Sequence, residues 1–106
     1  MTFRVQLTAE AECNLTEIAE WLAAQSQTGA RKWLVAALNA IRSLKTSALR
    51  NGLAPESRHA NHQIRQAFFK TKRGRIYRVL YYVDHETVFV THVRGPREKS
   101  IDPKSF

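Results

Sequence analysis

A single cysteine in 106 residues excludes an intramolecular disulfide and any zinc site built on thiolates. Cys13 lies between Glu12 and Asn14, with no neighbouring cation to favour the thiolate, so it reads as a poor nucleophile. Long apolar runs are missing too. No window reaches about 18 consecutive apolar residues, and the opening MTFRVQLTAEAE lacks the basic and then apolar layout of a signal peptide. The cytoplasm is the expected compartment. Acids are scarce: nine Asp/Glu stand against 17 Lys/Arg, for a formal charge of +8 and a pI near 10.3. Such an excess suits nucleic acid, the ribosome, an anionic membrane or an acidic protein, and does not choose among them.

What is present fits one α+β domain spanning residues 1–106. Hydrophobic residues make up 43% and charged residues 25%, ordinary values for a globular chain. The positive charge is concentrated late. Residues 63–99 hold nine Lys/Arg and three acids, so most of the net charge falls on this third of the sequence.

Residues 2–7 alternate, with Phe3, Val5 and Leu7 on one side of a half-buried strand. Thr8 suits an N-cap, with Glu10 and Glu12 in the first turn of a helix that carries Ala11, Leu15, Ile18 and Leu22 inward and runs to about Gln25. After a polar break, Thr28 is a second N-cap position. A second amphipathic helix, through Leu34, Ala37, Leu38 and Ile41, then ends near Ser47, before Asn51-Gly52. The short connection makes the two helices an antiparallel hairpin, and Trp21 and Trp33 read as its packing residues. Residues 53–62 lack periodicity and read as a loop. Three strands follow, at residues 64–69, 75–83 and 87–94, separated by the basic turn 70–74 and by Asp84-His85-Glu86. The expected order is β-α-α-β-β-β, an antiparallel sheet with the N-terminal helix hairpin packed on one face. Phe106 is a candidate to fold back from the tail.

The residues at this point resemble the RelE/ParE superfamily of type II toxin–antitoxin toxins, and the likeness spans nearly the whole chain. The opening FRVQLTAEAECNLTEIAEWLA is similar to that family's first strand and helix. LAPES before the second strand, IRQ opening it, YRVLYYV as the third strand and HVRGPR closing the fourth follow in the family's order and spacing. The resemblance implies a toxin neutralised by a cognate antitoxin encoded by an adjacent gene and forming a hetero-oligomer with it. It implies no cofactor, no metal and no membrane partner. Two targets stay open: ParE-like members poison DNA gyrase without chemistry of their own, and RelE-like members are metal-independent endoribonucleases that cut mRNA on the ribosome. LAPES and HVRG lean towards ParE, with a growth inhibitor of the plasmid-stabilisation type as the expectation. A non-toxic member that only binds its partner is the further alternative.

Cleavage of RNA by its own 2′-hydroxyl needs a base, a cation for the phosphorane charge and an acid for the leaving oxygen. By position in the family pattern, Arg78, Arg94 and Arg97 are the candidate catalytic residues, and His92 is the candidate acid or base. The C-terminal tyrosine of ribonuclease members is replaced by Phe106. Arg65, Lys70, Lys72, Arg73, Arg75 and Tyr81 are the candidate target contacts. Each has a structural alternative: Lys70 to Arg75 as a turn that keeps a sheet edge solvated, Arg78 as the partner of Glu17 or Glu20, His92 as a packed strand residue. His59 and His62 lack a third ligand for zinc. Register decides the cluster. A three-residue turn at 84–86 puts Arg78, His92, Arg94 and Tyr82 on one face, whereas a two-residue Asp84-His85 turn puts Tyr77 and Tyr81 with His92 and Arg94.

Overall fold

The computed structural model describes residues 2–96, apart from the side chain of His59. Arg97 and Phe106 therefore lie outside the described residues. Strand β1 (Arg4–Leu7) leads directly into helix α1 (Ala9–Ala23), and Thr8 caps it by accepting the Ala11 N–H at 3.2 Å. Helix α2 (Gln27–Ser47) begins earlier than its sequence suggested. Its cap is Ser26 rather than Thr28, because Ser26 is extended where α1 ends and its hydroxyl takes the Gly29 N–H at 3.0 Å. Ala30, Trp33, Ala37, Ile41 and Leu44 then recur on the buried side of α2.

Strands β2 (Arg65–Phe69), β3 (Tyr77–Asp84) and β4 (Thr87–Arg94) complete a four-stranded sheet of order β1-β4-β3-β2. The expected antiparallel pairing holds for β2–β3 and β3–β4. The sheet is mixed, however, because β1 lies parallel to β4, in a register that sets Val5 beside Val88 and Leu7 beside Val90. That register brings apolar residues together on the side the helices cover. The helix hairpin packs on the face bearing Ala67, Phe69, Val79, Tyr81, Val88, Val90 and Val93. Each fully buried aliphatic side chain there contributes roughly 1.5–3 kcal/mol.

The segment expected as a plain loop holds a short 3-10 helix, Pro55–His59, and lies over part of the opposite sheet face. Ala54, Ile64 and Leu80 form a second buried cluster beneath it, with Ala60 and Tyr82 packed alongside. Both expectations for the β3–β4 turn are corrected. Asp84 pairs with Thr87, so the turn residues are His85 and Glu86, and His85 takes a positive φ of 56°. A β-bulge then sets the faces: Leu80 pairs with His92 and Tyr81 with Val90, leaving Thr91 as the extra residue.

Residues of α1 satisfy the polar groups around this bulge. Thr8 Oγ1 donates to the Thr91 carbonyl at 3.2 Å, and the Val93 N–H donates to Asn14 Oδ1 at 3.0 Å. Thr91 Oγ1 donates to the Leu80 carbonyl at 3.3 Å. The bulge thereby keeps Val93 in the core while His92 and Arg94 turn to the other face.

Candidate functional site

Through that bulge Arg78, His92, Arg94 and Tyr82 share the sheet face away from the helices, with Arg78 directly opposite Arg94. This is the cluster expected from a three-residue turn, reached by a different route. Its chemistry is constrained. Arg78 is paired not with Glu17 or Glu20 but with Glu56 of the 3-10 helix, Nη1 to Oε1 at 2.8 Å and Nη2 to Oε2 at 2.6 Å. Arg78 Nη1 also donates to Gln66 Oε1 at 3.2 Å. The Glu56 side chain is 1% exposed, so the acid is enclosed and the guanidinium meets its charge in a two-point geometry.

His92 is buried, and burial pushes its pKa below the usual 6.5. Arg94 pushes the same way, while Glu10 and Glu56 oppose it. The imidazole is neutral near neutral pH and closed off from solvent. Arg94 is half-buried beside it. Arg97 is outside the described residues.

Two expected target contacts lie on the other face. Tyr81 is fully buried: its hydroxyl donates to the Ala48 carbonyl at 2.6 Å and accepts from Asn51 Nδ2 at 3.0 Å. Arg65, its cross-strand neighbour, donates to the Asn51 carbonyl. Both side chains tie the end of α2 to the sheet, and Tyr81 presents no surface to a target. Lys70, Lys72, Arg73 and Arg75 are exposed on the β2–β3 turn. The turn itself is closed by the Gly74 N–H on the Thr71 carbonyl at 3.1 Å, and a Cβ at Gly74 would collide with the Thr71 hydroxyl.

Beside this turn runs a groove of about 1250 Å³, bounded by α1, the first turns of α2, the β2–β3 turn and the end of β4. Glu10 and Glu17 line its α1 side; Lys32, Lys72, Arg73, Arg75 and Arg94 are the cations that line it. Ile18, Leu22, Trp33 and Tyr77 supply apolar surface. Trp33 packs on the sheet, T-shaped with Tyr77 at a centroid separation of 5.3 Å and tilted on Phe69 at 5.8 Å. Trp21 does not: it is 62% exposed and lines the groove.

Cys13 is exposed, and its thiol donates to Glu17 Oε1 at 3.2 Å, a contact that raises its pKa. His62 stacks on Tyr82 with centroids 4.2 Å apart. Sequence reasoning missed Glu56, Gln66 and Asn14. The one available signal was arithmetic: an arginine inside an apolar strand needs an acid, and Glu56 is the acid preceding β2 in an otherwise basic stretch.

Nothing among protein-family models or curated proteins matches the sequence. Among solved structures, the chain is similar to one described as the chromosomal ParDE TA system from P. aeruginosa. The TM-score is 0.68 over 89% of this chain and 96% of that one, at 12% identity, a likeness of fold.

Proposed function

We propose that this chain is the toxin of a toxin–antitoxin pair, a growth inhibitor that binds DNA gyrase and is neutralised by an antitoxin segment lying in the groove beside the basic turn. The shared fold with a chain of a ParDE system supports the toxin assignment. The groove supports an antitoxin site, because it joins apolar surface from the helix hairpin to exposed cations at the strand ends. The observation that carries the choice of target is the Arg78–Glu56 pair. A ribonuclease needs that guanidinium for the developing phosphorane charge, and here it is engaged by a carboxylate of the same chain. His92, the one candidate acid or base in the cluster, is enclosed as well.

The ribonuclease reading draws on a single fact, the shared face of Arg78, His92 and Arg94. Inducible expression with and without the adjacent open reading frame separates the readings. Growth arrest with a DNA-damage response, inhibition of purified gyrase and relief by the neighbouring gene is the expected result. Translation arrest with mRNA cut in the ribosomal A site would overturn the gyrase assignment, and no arrest at all would leave a binding protein without toxicity.

A further inference from the structure

We infer that Trp33 is the recognition donor of the groove, its indole N–H hydrogen-bonding a side-chain carboxylate of the antitoxin segment that fills it. This rests on the proposed toxin–antitoxin reading. Trp33 is 3% exposed and lines the groove, yet among the described residues its Nε1 has no hydrogen-bond acceptor. Buried polar groups are almost always paired, so an indole donor left over beside an open groove points to an acceptor that arrives from outside. A phenylalanine would supply the same ring packing on Tyr77 and Phe69 without stranding a donor.

The surroundings decide which acceptor. Lys32 lies next to Trp33 in α2, and Lys72 and Arg73 come from the turn, all lining the same groove. Their field favours a carboxylate over a neutral amide or a backbone carbonyl. Glu17, on the α1 side, repels acids there. The occupant is therefore an amphipathic antitoxin segment with one acidic flank, an apolar stripe against Trp21, and neutral or basic residues towards α1. The polarity of the walls fixes which way round it lies.

The test titrates the full ¹⁵N-labelled chain with the antitoxin from the adjacent gene and follows its two indole resonances, Trp21 and Trp33. The Trp33 indole proton moves downfield on binding, as a new hydrogen bond requires. Trp33→Phe weakens affinity by about tenfold to a hundredfold, the range for a hydrogen bond to a charged group. In a double-mutant cycle it couples to one Asp or Glu of the antitoxin and to no other. An unmoved Trp33 resonance in the complex overturns the inference, while the toxin assignment stands. That readout needs no variant, so a poorly folding Trp33→Phe would not spare the proposal. Failure of the antitoxin to bind the unaltered chain would overturn the toxin–antitoxin reading itself, and the inference with it.

Discussion

Arg78 and Glu56 meet as a two-point ion pair on the sheet face that the helices leave uncovered, although 22 positions separate them in the chain. The pair has two consequences. It pins the 3-10 helix over Ile64 and Leu80, and it occupies the arginine on which a phosphoryl-transfer site at this place would depend. Stability and mechanism are linked through the same guanidinium.

Glu56→Ala is expected to destabilise the fold by about 3 kcal/mol, the low end of the usual range for breaking an enclosed pair, because Arg78 retains some contact with water. The urea midpoint should fall with an unchanged denaturant slope. Pairing Glu56→Leu with Arg78→Met should recover most of the loss, since neither charge is then stranded. A Glu56→Ala midpoint equal to that of the parent chain would show that the pair holds nothing in place. The same logic governs functional tests of Arg78: loss of toxicity in Arg78→Ala counts only if the variant unfolds at the parent's midpoint.

Asn14→Ala should cost about 1–3 kcal/mol by leaving the Val93 N–H beside the bulge without its acceptor. Asn14→Asp keeps an acceptor but sets a second carboxylate next to Glu10, whose Oε1 accepts from Asn14 Nδ2 at 3.2 Å. Its cost should shrink as pH falls and the carboxylates protonate. Amide exchange at Val93 gives the specific readout, with protection lost in Asn14→Ala before any global change. Val93 exchange matching the parent would detach Asn14 from the bulge.

The helices and strands were legible because their apolar spacing is regular and their caps are chemically plain. Thr8, Glu10 and Glu12 announce α1, and Val88 and Val90 alternate as a strand should. The bulge was written in the same pattern: Val88, Val90 and Val93 are all buried, and the step from 90 to 93 breaks a period of two. Strict alternation hid it, and so left the face of Arg78 open between two registers. Glu56 was illegible for another reason. A non-periodic segment carries no local sign of what it lies against, and only the fold brings LAPES over β3. Tyr81 misled because a tyrosine in a basic strand reads equally as a surface contact or as a buried hydroxyl with two partners.

Stability should decline on the acid side through His92. In the unfolded chain the imidazole takes up its proton near its usual 6.5, whereas in the fold burial holds its pKa lower. Between the two pKa values the unfolded state binds more protons, so the contribution is complete above about pH 6.5 and is lost progressively as pH falls towards the depressed folded pKa. His92→Gln should flatten the stability profile on the acid side of about pH 6.5. An equally steep profile in that variant would assign the acid sensitivity to the carboxylates instead.

The basic turn should separate binding from folding more cleanly than any strand residue. Lys72 and Arg73 are exposed, and the turn is closed by the Thr71 carbonyl and the Gly74 N–H rather than by their side chains. Reversing both charges, Lys72→Glu with Arg73→Glu, should therefore change stability by no more than about 0.5 kcal/mol per site. Partner binding should suffer far more, chiefly through slower association, and the deficit should narrow as added salt screens the exposed charges. Surface plasmon resonance of the variant against the antitoxin at low and high salt, beside a thermal melt, measures both effects. Unchanged association at low salt would take the turn out of the binding surface and leave its cations the simpler task of keeping a sheet edge solvated.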